Sequence, residues 1–120
     1  DGRVLLVRHS YGPPAWHLPG GGVRRREALV DALHRELAEE CGVTVSGPVR
    51  LLGTYSNTQK GRSDHISVFV VEHFRRHASD DAEIDSARFF PPGGLPDKAS
   101  PGTRRRVAEW AGERVPDFAW

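Results

Sequence analysis

Apolar residues recur every four positions from Leu29 through Leu33 and Leu37 to Cys41, with the strong helix formers Ala28, Ala32 and Ala38 between them. This pattern predicts a helix from about Glu27 to Cys41, with Gly42 placed to close it in the left-handed conformation. A second helix is predicted near the end, with Ser100 as N-cap and Pro101 at the first helical position. There Val107, Trp110, Ala111 and Arg114 keep helical spacing, and Arg114 is expected to bury at most its stem. The other apolar runs are short and β-like. Residues 3–9 around Val4-Leu5-Leu6-Val7 predict a strand closed by the turn-rich Ser10-Tyr11-Gly12-Pro13-Pro14. Val43-Thr44-Val45, Val49 to Tyr55 and Ala87 to Phe90 predict further strands, and Ser56 to Asp64 a polar loop. Ile66 to Val71 is almost continuously apolar and β-branched, as in a strand buried on both faces. Strands alternating with helices imply an α+β fold, an α/β/α sandwich with one mixed sheet between helices.

At 120 residues the chain suits one domain with one core, residues 1–120. With 17 basic and 16 acidic side chains it carries no general signal for nucleic-acid binding. It has no apolar run of about 18 residues and no secretory layout at its start, so no membrane span is expected. The single cysteine, Cys41, excludes an internal disulfide, fits a reducing cytoplasm and is expected to pack as a small apolar group. There is no Met, and the chain opens on the turn-like Asp1-Gly2, so preceding residues, including a strand pairing with 3–9, are expected to be missing. Six scattered histidines and one cysteine do not make a zinc site. Of the histidines, His65, beside the polar loop, is the best candidate for a substrate contact. Tyr11, Trp16 and Tyr55 could stack on a base, although Trp16 has a competing role packing beneath the glycine turn. Arg104, Arg105 and Arg106 are expected to decorate the second helix.

The chemistry gathers on the first helix. Glu36, Glu39 and Glu40 stand at i, i+3 and i+4 and share one face. At roughly 100° per residue, Glu36 and Glu40 fall about 20° from Leu29, and Glu39 about 20° beyond Ala32. The acids therefore border the apolar stripe, where three like charges repel and resist desolvation. A hard divalent cation relieves both problems. By spacing alone, a solvated acidic face remains the commoner reading of Glu-x-x-Glu-Glu. Gly20, Gly21 and Gly22 precede the helix, and glycines there let backbone approach a phosphate. The Arg24-Arg25-Arg26 run reads as a solvated surface that could also steer phosphates.

Gly21-x5-Glu27-x7-Arg35-Glu36-Leu37-x-Glu39-Glu40-x-Gly42-Val43, led by Leu18-Pro19-Gly20-Gly21, resembles the box of the Nudix hydrolase family at every fixed position. The box covers residues 21–43, and the strand pattern extends a looser resemblance over most of the chain. One departure is Arg26, where relatives often have glycine; that position is not fixed in the motif.

The resemblance implies a Nudix fold of the MutT-like kind, with the box as loop, helix and loop. It implies Mg²⁺ or Mn²⁺ held by Glu36, Glu39 and Glu40, with the Gly21 carbonyl as a further ligand. It gives Arg35 the task of orienting the glutamates, and Glu27 a supporting place near the helix start. Gly20, Gly21, Gly22, Trp16 and His65 are the candidate substrate contacts. The implied reaction is hydrolysis of a phosphoanhydride (pyrophosphate) bond in a nucleoside diphosphate linked to another moiety, by metal-activated water. The general base would be a box glutamate or Glu83, which equally fits a solvated acidic loop. A non-catalytic nucleotide sensor or interaction module is the alternative, although such relatives usually lose box glutamates. ADP-ribose-like molecules, nucleoside triphosphates, dinucleoside polyphosphates and capped RNA all remain open as substrates, and a homodimer is open too. Ser56 to Asp64 and Pro91 to Ser100 are expected to decide among substrates.

Overall fold

The computed structural model describes residues 2–8, 14–58, 61, 63–77 and 86–120. Its elements run β1 (Val4–Arg8), α1 (Leu29–Cys41), β2 (Val43–Val45), β3 (Val49–Asn57), β4 (Asp64–Val71), β5 (Phe74–Arg76), β6 (Ser86–Phe90), a single 3₁₀ turn (Pro92–Gly94) and α2 (Pro101–Trp110). The strands pair antiparallel as β1 with β6, β2 with β5 and β3 with β4. Isolated parallel bridges join Trp16 to Ala99 and Ser56 to Ala119. No helix among the described residues is long and apolar enough to cross a membrane.

The strand buried on both faces is β1 rather than β4. Side chains alternate across a strand, so Val7 joins a cluster with Leu37, Cys41 and Val43 against α1. Its neighbour Leu6 points the other way, into a cluster with Trp16 and Ala99. Leu6 and Val7 are 0% and 2% exposed, which makes β1 the middle layer between two cores. Every apolar position of β4 is only half-buried, because one side of that strand borders a cavity. β3 runs two residues beyond the predicted end at Tyr55, and β4 begins at Asp64, so the polar loop between them is shorter than expected.

α1 begins at Leu29, with Ala28 as an N-cap that offers no side-chain acceptor. Gly42 ends it at φ 64°, as predicted, its N–H reaching the Ala38 carbonyl. The predicted apolar stripe is displaced at its start. Ala32, Leu37 and Cys41 are buried, whereas Leu29 is 52% exposed, since the first turn overhangs the cavity. α2 is capped as predicted, the Ser100 hydroxyl accepting from the Thr103 N–H. It stops at Trp110, however, and Arg114 lies beyond it with its guanidinium on Asp117 at 2.7 Å.

Arg106 does not decorate α2: it is 1% exposed. Its guanidinium lies 3.9 Å from the centre of the Tyr55 ring, donates to Glu109 Oε2 at 3.0 Å and reaches the Ala119 carbonyl at 3.0 Å. Tyr55 donates its hydroxyl to the other Glu109 oxygen at 2.7 Å. Burial, with the Glu109 carboxylate beside it, pushes the Tyr55 phenol up to about 12. These contacts bind β3, α2 and the C-terminal segment into one polar cluster.

Two stability predictions follow from this framework. Arg106→Ala takes the nearer of two cations from the buried Glu109 carboxylate, leaving Arg114 at 3.8 Å, and urea unfolding should show a loss of about 3 kcal/mol. An unchanged midpoint would mean the pair is immaterial. Arg26 sits in the left-handed region at φ 64°, where a side chain costs about 1–2 kcal/mol. Arg26→Gly should therefore raise stability by about 1 kcal/mol in the same assay, net of the glycine's greater unfolded freedom.

Candidate active site

Arg35 is the centre of the box. Its Nε and Nη2 fork onto Glu27 at 2.8 Å each, its Nη1 donates to Glu36 at 2.9 Å, and Nη2 also reaches the Gly22 carbonyl at 2.9 Å. Glu39 approaches Nη1 at 3.5 Å. Only a planar, forked cation can hold two carboxylates and a carbonyl in one plane this way. The Glu27 and Glu36 bonds in turn push the guanidinium further toward its charged form. The Arg35 bond and the Arg24 N–H, 2.9 Å from Glu27, hold the Glu27 carboxyl down at about 2.

Two of the three glycines face acids and the third takes Arg35. The Gly20 N–H faces the Glu40 carboxyl, and the Gly22 carbonyl takes Arg35. Gly21 lies so close to Glu36 that a Cβ would meet its Oε1 at 2.5 Å, so only glycine fits without displacing that carboxylate. Glu39, 52% exposed against 16% for Glu36, sits on the outer flank of the row, as its position beyond Ala32 implies. Burial, then the hydrogen bond and charge of Glu36, with Glu39 adding to them, push Glu40 up to about 8 against the opposing pull of the Gly20 amide.

Glu36, Glu39, Glu40 and the Gly21 carbonyl are the oxygen donors that could hold a metal. One observation fits a hard cation: Glu40 Oε2 is buried without a hydrogen-bond partner. Among the described residues no three acids, histidines or cysteines converge as a ready-made metal cage. Glu36 is turned toward Arg35, so the carboxylates line one helix face without a common focus.

A cavity of about 770 Å³ adjoins this face, bordered by Gly20, Gly21 and Glu36 and, across it, by β4 and α2. His65 stands exposed on its border, opposite Ser56 in the β3–β4 ladder. Trp16 does not border it. Its indole is 8% exposed, packs edge-on against Phe90 at 5.1 Å, and belongs to the core, as its competing packing role implied. Tyr55 is fully buried and offers no face for a base. Glu83 and Tyr11 lie outside the described residues. Of the segment Pro91 to Ser100, only Ser100 borders the cavity. Sequence reasoning missed Thr103, Arg105, Trp110 and Trp120, which also border it. The helical interval 103–106–107–110 could have revealed the α2 face, but nothing local pointed to Trp120.

The Glu27 carboxyl gives a pH prediction with a fixed sign. Its folded pKa of about 2 lies below the unfolded value of 4.5, so its contribution is complete above pH 4.5 and fades as pH falls toward 2. Glu27→Gln should remove this part of the acid-side slope, measured as melting temperature between pH 2 and 5. An unaltered slope would place the stabilising titration elsewhere.

The model of the NUDIX domain matches residues 1–111. Diphosphoinositol polyphosphate phosphohydrolase 2 of Rattus norvegicus is 35% identical over 89 residues, covering 73% of this chain and 49% of that protein. An ADP-ribose pyrophosphatase of Methanocaldococcus jannaschii is 32% identical over 102 residues, 80% of this chain and 59% of that protein. The chain thus spans about half the length of the curated relatives it matches. The crystal structure of a MutT NUDIX hydrolase from Burkholderia pseudomallei superposes with a TM-score of 0.77 at 25% identity, covering 91% of this chain and 88% of that one. A family match over nearly the whole chain and a shared fold, added to the wrapped box helix, show that this chain belongs to the NUDIX domain family.

Proposed function

We propose that the chain, acting as one NUDIX domain over residues 1–120, is a metal-dependent pyrophosphohydrolase that cleaves a phosphoanhydride bond in a nucleoside diphosphate linked to another group. The observation that carries this reading is the buried, unpartnered Glu40 Oε2 beside carboxylates that Arg35 holds against the glycine turn. Mg²⁺ or Mn²⁺, held by Glu36, Glu39, Glu40 and the Gly21 carbonyl, would supply Lewis acidity that polarises the phosphoryl oxygens and acidifies water. The proton of the attacking water would go to a box glutamate, with Glu40 as the first candidate, or to Glu83. Arg35, anchored by the Glu27 fork, positions Glu36 and Glu39 and need not touch substrate. The Gly20–Gly22 backbone borders the place for the diphosphate, and the adjoining cavity, at about 770 Å³, leaves room for the rest of a nucleotide. The Methanocaldococcus jannaschii relative, named for ADP-ribose, supports a nucleotide-type substrate of that size.

The test is phosphate release from a nucleotide panel with Mg²⁺ or Mn²⁺, coupled to a phosphatase where needed. Wild type should turn over at least one member. EDTA should abolish the activity, and Glu40→Gln should lower kcat by on the order of 100-fold or more while the protein stays folded. A folded wild type that binds nucleotides yet hydrolyses none would make the domain a ligand sensor instead.

A further inference from the structure

We propose that Trp120 is a specificity-determining residue: its indole forms the wall of the substrate cavity that limits the group carried beyond the cleaved diphosphate. This rests on the cavity beside the box being the substrate site. The same cavity that is bordered by Gly21 and Glu36 is bordered by Gly102, Trp110 and Trp120.

Trp120 is held on several sides while bordering the cavity. Its N–H donates to the Ser56 carbonyl at 2.9 Å, and the Ser56 N–H donates to the Phe118 carbonyl at 2.8 Å, so residues 118–120 extend β3 as a short parallel edge. Arg105 donates to the Trp120 carbonyl through both Nε and Nη2. The Arg106 guanidinium lies 5.1 Å from the indole centre, and the Tyr55 ring meets it edge-on at 6.2 Å. On the α2 side the indole packs directly on Gly102, where a Cβ would meet ring atoms at 2.6 Å. Phe118 is held at φ 61°, a conformation that a bulky residue keeps only when its surroundings enforce it. A flat ring fixed this firmly acts as a rigid stop, since little freedom remains for it to swing aside.

The chemistry of the wall also sets what rests on it. The indole is apolar and planar, and the two cations beside it on the cavity border are engaged: Arg105 with the Trp120 carbonyl, Arg106 with Glu109 and the Ala119 carbonyl. The wall therefore suits a compact, uncharged sugar-like or planar group better than one carrying many phosphates.

The test compares ADP-ribose with the bulkier di(adenosine) diphosphate in wild type, Trp120→Ala, Trp120→Phe and Gly102→Ala, each checked for folding by thermal melt. Two readouts are taken: kcat and KM with metal, and Kd by calorimetry in EDTA. Wild type should favour ADP-ribose. Trp120→Ala should move the preference at least fivefold toward the bulkier compound, through KM and Kd with little change in kcat. Trp120→Phe should fall between. Gly102→Ala, which keeps the indole but displaces it, should change the same ratio. A ratio unchanged within twofold in both folded Trp120 variants overturns the proposal, as does failure of wild type to bind either compound. If Trp120→Ala does not fold, Trp120→Phe and Gly102→Ala decide. Should wild type bind but hydrolyse neither compound, the hydrolase reading is decided by the wider nucleotide panel, and the Kd ratios still judge the wall.

Discussion

The fork between Arg35 and Glu27 is the constraint on which the box depends. Three acids along one side of a short helix repel one another and, at the edge of a core, lose much of their hydration. Arg35 answers this with one rigid cation that takes Glu36 and Glu39 on one nitrogen and Glu27 on the others. Glu27 also accepts from the Arg24 N–H, so the same fork fixes the loop that enters α1. That loop lacks a capping side chain at Ala28 and turns through the left-handed Arg26. Its geometry is thus held by ionic contacts in place of an N-cap. Lysine, a point charge without a planar fork, could not make this set of bonds.

Glu40 is the member of the row left outside the network. Arg35 does not reach it, and the groups facing it are the other acids and one glycine amide, so its carboxyl is driven toward the neutral form. An uncompensated acid of this kind is costly for a fold and useful for a site. A cation brought to this face would supply what Arg35 supplies to the others. The same imbalance that weakens the domain here fits the metal-binding role proposed for this helix face.

On the far side of the cavity the organising principle is similar but the purpose differs. Arg106, buried between Tyr55 and Trp120 and tied to Glu109, fastens α2 to β3 and to residues 118–120. The Ser100 cap and the Leu18 N–H bond to the Thr103 hydroxyl, at 3.3 Å, set the start of α2 beside the glycine loop. The box and α2 therefore face one another across a space whose dimensions are set by buried charge as much as by apolar packing.

The sequence by itself carried the local features. α1 with its Gly42 cap, the capped start of α2, the short strands other than β5 and the spacing of Glu27, Arg35, Glu36, Glu39 and Glu40 all follow from period, propensity and motif within some twenty residues of chain. The row of acids also followed, because angle around a helix is fixed by sequence number: Glu39 lies outermost, as its angle requires. What depended on distant partners was not legible. Apolarity suggested β4 as the doubly buried strand, but burial is decided by which layers cover a strand, and β1 took the middle place. Arg106 reads as a surface charge until Tyr55, Glu109 and residues 119–120 close around it. Trp16 went to the core, and Trp120 came to border the cavity, because each position is chosen by segments far away in the chain. Periodicity and motif are properties of neighbours in sequence, whereas enclosure of a side chain belongs to neighbours in space, and only the folded chain supplies those.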